Sequence, residues 1–217
     1  MLDSLTQQLV NGLKAIDTDC TDEQIQLSIQ FIRLLEKWNK VYNLTAVRHL
    51  PDMVDRHLLD SLSISRWIKG RVIDLGTGAG LPVIPLAIHQ PDHSFISVES
   101  NGKKTRFQQQ ALLELSIHNV EVRQVRVETL QAQQLFNSTQ GESTQLADTV
   151  VSRAFSAPEQ FLLFAQNLLK THGQALVMLG RADKLPETLP GSFKLMQMER
   201  IELPGSGQRH LAVCEKH

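Results

Sequence analysis

The residues best suited to chemistry lie between Val72 and Pro82, where Val-Ile-Asp-Leu-Gly-Thr-Gly-Ala-Gly-Leu-Pro carries an apolar run into an acid and then into alternating glycines. Glycine adopts positive φ freely and has no Cβ, so this spacing predicts a loop whose backbone N–H groups approach a bound ligand. Pro82 suits the first turn of a helix leaving that loop. A dinucleotide fingerprint needs two residues between its second and third glycines, and a P-loop needs a Gly-Lys-Ser/Thr step. Only Ala79 separates Gly78 from Gly80, and no such lysine follows. Another nucleotide-like ligand or a tight structural turn remains. Asp74 could receive an amine of that ligand or simply hold the loop. Glu99 stands about 20 residues past the glycines, the spacing at which a carboxylate reaches ribose hydroxyls; a solvent-facing turn acid is the alternative. Arg126-Val127-Glu128 offers an apolar residue to pack on a base and a group to read its amine. Glu128 taken singly could equally be a helix-start acid favoured by the dipole.

These groups meet only if strands deliver them to one edge. From Arg71 the chain alternates strand and helix patterns, with apolar or β-branched runs at Val72–Leu75, Phe95–Val98, Val120–Val125, Thr149–Ser152 and Ala175–Leu179. That alternation predicts a parallel sheet covered on both faces, with the ligand beyond the carboxyl ends of its strands. Phe193–Ile201 and His210–Cys214 flank Pro204-Gly205-Ser206-Gly207 and read as an antiparallel hairpin. Upstream, Leu5, Leu9 and Leu13 mark a short helix. Thr21 caps a longer one through Ile25, Ile29, Ile32 and Leu35 to near Trp38, and a third follows Pro51 through Met53, His57, Leu58, Leu62 and Ile64. The expected organisation is a helical extension over residues 1–68, packed on an α/β ligand-binding domain over 69–217.

Bulk properties narrow the partners. The 217 residues are 41% hydrophobic and carry a formal charge of −1, enough for one α/β core but without a whole-molecule attraction to a polyanion. Any nucleic-acid contact must be local. Cys20 and Cys214 form no metal-ligand spacing, so no metal site is expected and reduced thiols in a cytoplasmic protein are. No apolar run reaches membrane-spanning length. Gln131 to Gln145, rich in Gln, Ser and Thr, reads as a polar loop.

An acid-bearing strand followed by Gly-x-Gly-x-Gly resembles the cofactor loop of S-adenosylmethionine (SAM)-dependent methyltransferases. In that light the segment after the fourth strand, Ser152-Arg153-Ala154-Phe155, indicates the acceptor. It is not the Asp/Asn-Pro-Pro-aromatic motif of enzymes acting on exocyclic base amines, and no Pro-Cys pair is placed to attack a pyrimidine ring. A ring nitrogen with a free lone pair, such as guanine N7, has no proton to lose, so its methylation needs only in-line positioning and electrostatic support. Many other acceptors would leave the same silence.

Blocks along most of the chain make the resemblance specific: Trp38-Asn39-Lys40-Val41-Tyr42-Asn43-Leu44-Thr45, Arg56-His57-Leu58-Leu59-Asp60-Ser61, the glycine loop, Gly102-Lys103-Lys104, Arg126-Val127-Glu128, Ser152 to Phe155, and Arg209-His210-Leu211. Together they resemble the bacterial small-subunit ribosomal RNA guanine-N7 methyltransferases, also known as glucose-inhibited division protein B. The resemblance implies a Rossmann-like SAM-dependent methyltransferase fold of five parallel strands plus a C-terminal antiparallel hairpin. It also implies a cytoplasmic enzyme that methylates N7 of one guanine in 16S rRNA, with cofactor contacts at Gly76, Leu81, Val127, Glu128 and Arg153. Asp74, Gly78 and Glu99 join them from the residue reading, and Arg153 is the leading catalytic candidate. RNA contacts are expected from Asn43, Arg56, His57, Lys103, Lys104, Arg126 and Phe155, although His57 and Phe155 could instead be packing residues. A monomer acting on 16S rRNA within the small subunit or its precursor is the expectation. A small-molecule SAM methyltransferase and a noncatalytic RNA-binding assembly factor are the alternatives. The chain departs from the family pattern at Val83, where a glycine is common, at Met178-Leu179-Gly180-Arg181, where a Lys is common, and in a longer loop from Asn137 to Ala147.

Overall fold

Among the described residues, seven strands form one mixed sheet: Arg71–Leu75 (β1), Ser94–Glu99 (β2), Val120–Gln124 (β3), Ala147–Arg153 (β4), Leu169–Leu179 (β5), Phe193–Leu203 (β6) and Gly207–Lys216 (β7). The computed structural model describes residues 3–130, 146–153, 155 and 157–217, so the polar stretch 131–145, and with it most of the expected long loop, lies outside the described residues. Strand order is β3-β2-β1-β4-β5-β7-β6. The first five strands run parallel, while β7 pairs antiparallel with both β5 and β6. The strand order reverses between β1 and β4, where open α/β sheets hold their ligands. Ile73 lies there opposite Ile96 on one side and Val150 on the other.

Among the described residues the longer helices are Ser4–Ala15 (α1), Asp22–Tyr42 (α2), a composite element over 50–62 (α3), Val83–His89 (α4), Gly102–Glu114 (α5) and Pro158–Gln166 (α6). Leu9, Phe31, Leu35 and Leu59 from the first three share one apolar cluster with Val83, Phe107 and Leu176. On the other side of the sheet, Phe161 and Ala165 of α6 pack with Ile73 and Val177. Thr21 caps α2 as the sequence predicts: its hydroxyl accepts the Gln24 N–H while the Gln24 side chain accepts the Thr21 N–H.

Two helices differ from their sequence reading. The apolar pattern of α2 fades at Trp38, yet the helix runs on to Tyr42, because Asn43 supplies a left-handed cap at φ 52° and its N–H returns to Asn39 O. The element after Pro51 is not a regular helix: Leu50–Met53 passes into a π-helical turn, Val54–Leu59, before Asp60–Leu62 closes it. Periodicity alone does not register a π turn, since one extra residue shifts the face by only a fraction of a turn.

Asn39 ties the loop after α2 in place. It is buried, its Nδ2 donates to Val47 O at 3.0 Å, and its Oδ1 accepts the Thr45 N–H at 2.9 Å. Asn39→Ala strands both backbone partners. Each unsatisfied group costs about 1–3 kcal/mol, so urea unfolding is expected to show a loss of roughly 2–4 kcal/mol.

Candidate active site

The glycine loop leaves β1 at the carboxyl edge of the sheet. Gly76, Gly78 and Gly80 all have positive φ, at 72°, 64° and 84°. At Gly80 a Cβ would collide with Ile84, so this glycine serves close helix–loop packing. At Gly78 a Cβ would meet nothing nearer than Lys104 Nζ at 3.9 Å, so the space over its backbone is open to a ligand. Glu99 fixes that backbone from the end of β2. One of its carboxylate oxygens accepts the Gly78 N–H at 2.9 Å and the other accepts the Asn101 N–H at 2.8 Å. Glu99 is 8% exposed, which removes the solvent-facing turn acid as an account of it.

Asp74 is fully buried below the loop, and its Oδ2 accepts the Val83 N–H at 3.2 Å. This contact ties the loop to α4. Asp74 Oδ1 and Thr77 Oγ1 are buried and close no regular hydrogen bond, although the Thr77 hydroxyl lies near enough to the Asp74 carboxyl to favour its charged form. Unpaired polar atoms beside an open glycine backbone are what a loop shaped for a polar ligand presents. Leu81 is buried behind the loop, Val127 is half-buried, and Glu128 and Arg126 are exposed on the turn after β3.

Arg153 ends β4, next to Ser152, whose hydroxyl donates to Leu75 O at 2.8 Å and so locks β4 to the base of the glycine loop. One guanidinium nitrogen of Arg153, Nη1, donates to Asp60 Oδ2 and to Arg56 O, both at 3.0 Å. The other Asp60 oxygen lies 3.5 Å from Arg209 Nε. Asp60 thus bridges α3, β4 and β7. The π turn makes this possible, since its wider winding displaces the regular i to i+4 ladder, and Arg56 O also accepts from His57 Nδ1 at 2.9 Å. That bond fixes the His57 tautomer: a carbonyl only accepts, so Nδ1 holds the proton. Nε2 is left to accept from the Thr45 hydroxyl at 2.9 Å. Burial, reinforced by the Arg153 charge, lowers the His57 pKa to about 4.

These side chains line a cleft of about 350 Å³ that also reaches Gly180 and His210. Three arginines, Arg56, Arg153 and Arg209, line it with one carboxylate, Asp60, so the cleft is cationic in a chain of formal charge −1. Among the RNA candidates, Arg56 and His57 line the cleft, and exposed Asn43 accepts from Arg48 nearby at 2.9 Å. Lys103 is exposed at the start of α5, and Lys104 reaches back over Gly78. Phe155 lies over Gly76 and packs with Phe161 and Phe164, at centroid distances of 5.9 and 6.2 Å. Thr45, Asp60, Arg209 and His210 also line the cleft, and nothing in the sequence around them marks them for it. Asp60 and Arg209 meet only after β7 folds back beside β5, which no local spacing announces.

Two buried groups give the fold opposing pH dependences. Burial raises the Asp74 pKa to about 7. The stability tied to its protonated form is complete below its unfolded value near 3.8 and lost as pH rises through about 7. His57 runs the other way: its contribution is present above 6.5 and lost as pH falls through about 4. The two slopes therefore offset one another between about pH 4 and 6.5. Asp74→Asn is expected to expose the His57 slope, so that urea stability rises with pH by up to about 1.4 kcal/mol per unit more steeply than in the parent. His57→Gln should tilt the curve the opposite way.

A parallel sheet that reverses at a glycine loop, with acids at the strand ends and a cationic cleft beside them, defines a Rossmann-like methyltransferase. The fold matches the crystal structure of TrmN from Thermus thermophilus at a TM-score of 0.55 and 16% identity, covering 76% of this chain and 53% of that one. The family model of rRNA small subunit methyltransferase G matches residues 24–211, and the chain belongs to this family. It is 40% identical over 215 residues to Ribosomal RNA small subunit methyltransferase G of Nitrosococcus oceani, covering 97% of this chain and 95% of the relative. With the Marinobacter nauticus protein of the same name it shares 43% identity over 216 residues, with 97% and 96% covered. Membership makes the protein a methyltransferase that uses a SAM-type methyl donor.

Proposed function

We propose that this enzyme methylates N7 of a guanine in 16S ribosomal RNA, acting as a cytoplasmic monomer on the small subunit or its precursor. The observation that carries the reading is the cationic cleft joined to the glycine loop through Arg153. Bound at the loop, SAM would supply a methyl group activated by its sulfonium. The open backbone over Gly78, the Glu99 carboxylate and the unpaired buried oxygens of Asp74 and Thr77 fit such a polar, zwitterionic ligand. Gly76, Val127, Glu128 and Arg153 are the further residues we assign to it. Buried Leu81 would act by supporting the loop from below.

The cleft residues suit an acceptor with no proton to remove. His57 holds its proton on Nδ1 against Arg56 O, and its Nε2 is occupied by Thr45, so it is not poised as a base. Arg153 and Arg209, held by Asp60, supply fixed positive charge for an extruded nucleotide and its phosphates. Asn43, Arg56, Lys103, Lys104 and Arg126 would extend the contact along the backbone, while Phe155 would serve the cofactor side rather than stack on the acceptor. In this reading residues 1–68 form an extension on the core 69–217, and the π turn is their contribution to the acceptor wall.

Labelled SAM with unmodified 16S rRNA, followed by mapping of the product, tests the proposal. Label at guanine N7 supports it; label only at a pyrimidine or an exocyclic amine overturns it. Because the charge attraction is local, the assembled subunit is expected to be methylated faster than free RNA at equal salt, with equal rates counting against the subunit as substrate.

A further inference from the structure

At the opposite end of the sheet from the cleft, the antiparallel ladder of β5 and β7 gathers three metal-ligating side chains that play no part in methyl transfer. Gln174 pairs with Glu215 and Ala175 with Cys214. His172 lies on the irregular stretch of β5 between Leu169 and Gln174, and His217 directly follows β7. The left-handed turn at His172 brings its imidazole to Glu215 and His217 at the end of β7. His172 Nδ1 is 3.1 Å from Glu215 Oε1, and His217 Nε2 is 3.9 Å from the same oxygen. All three donor atoms lie within 4.8 Å of one another.

Both histidines are anchored through their main chain, while their imidazoles are exposed. His172 sits in the left-handed region at φ 62°, and the His217 N–H donates to Ser192 O at 2.9 Å. The nearby cation Lys170 is drawn away to Asp148 at 2.7 Å. Donors bound to a tetrahedral zinc at about 2.0–2.2 Å stand roughly 3.3 Å apart. The His172–Glu215 separation is already near that, and small side-chain rotations bring His217 in.

We infer that His172, Glu215 and His217 form a binding site for a late first-row divalent cation such as Zn²⁺, clipping β5 to β7, with solvent completing the coordination. Two imidazoles and one carboxylate are the donor set such ions prefer over Mg²⁺ or Ca²⁺. Lys194 stands opposite Glu215 on β6, so the three donors bind against one neighbouring positive charge. The affinity is therefore expected to fall well short of that of a four-ligand structural zinc. His172 lies beyond Gln174, which is itself about 17 Å along β5 from Leu179 at the cleft, so the ion acts on stability and not on the chemical step.

The test is chelator-competition titration of the full chain with Zn²⁺, alongside melting curves. One saturable site is expected, with Tm rising as Zn²⁺ is added. His172→Asn, which tolerates the left-handed backbone, and Glu215→Gln should each weaken binding at least about tenfold and abolish the Tm rise. Cys20→Ser serves as control, because Cys20 Sγ and His89 Nδ1 lie 3.2 Å apart and form a rival thiol–imidazole pair. No binding below about 1 mM, unchanged affinity in His172→Asn, or loss of binding only in Cys20→Ser would each overturn the proposal.

Discussion

Arg153→Ala is expected to lower kcat/KM for methyl transfer by roughly 10²–10³-fold, the scale set by removing a fixed charge from a water-poor active site. Two features make this residue the most sensitive in the cleft. It is the last residue of β4, held at the base of the glycine loop by the Ser152–Leu75 bond. It also uses one guanidinium nitrogen to join Asp60 and Arg56 O, both at 3.0 Å. Removing it leaves Asp60, whose side chain is 9% exposed, with Arg209 alone at 3.5 Å. A buried carboxylate so deprived recruits Arg209 or takes up a proton, and either response reshapes the cleft. Arg153→Lys keeps the charge but not the planar fork, so it should recover only part of the loss. Asp60→Asn should act through Arg153, with a rise in KM larger than its fall in kcat. If Asp60 and Arg153 work as a unit, the double variant loses little more than Arg153→Ala alone. Steady-state kinetics on small subunits lacking the methyl group decide it. An Arg153→Ala enzyme that melts normally and keeps kcat/KM within threefold would remove Arg153 from the mechanism.

How far the site is legible in the sequence depends on how local its causes are. The glycine loop, the Thr21 cap and the alternation of strands follow from the chemistry of a few adjacent residues, and the structure shows each where the sequence puts it. The two helical surprises have causes that periodicity does not carry. One is a left-handed Asn43 that prolongs α2, and the other is a π turn that aims Arg56 O at two donors. Asp60, Arg209 and the His172–Glu215–His217 cluster are harder still. They depend on β7 lying antiparallel beside β5, so the partners sit far apart in the chain and have no spacing rule. The acids that do have a spacing rule divide by burial. Glu99 is buried against the loop while Glu128 is exposed, a distinction visible only in three dimensions.

Glu99→Ala should cost cofactor affinity about 100-fold or more and leave the overall fold standing. The Glu99 carboxylate accepts the Gly78 N–H at 2.9 Å and the Asn101 N–H at 2.8 Å, so it shapes the glycine loop and the start of α5 together. Charge-assisted bonds of this kind contribute about 1.5–3 kcal/mol each, and losing both frees a loop that already holds three glycines at positive φ. A carboxylate with two oxygens has lone pairs to spare, so the same group can also receive ribose hydroxyls while it holds the loop. Glu99→Gln separates the two roles. Its amide keeps one acceptor oxygen for Gly78 or Asn101 but turns a donor toward the other N–H, so it should bind SAM better than the alanine variant and well below the parent. Glu128→Gln, on an exposed turn, should change affinity by less than tenfold. Calorimetry with SAM reads all three. A Glu99→Ala protein that binds within threefold of the parent would mean that the loop keeps its ligand-ready shape without help from β2, and the role of Glu99 would then be confined to capping α5.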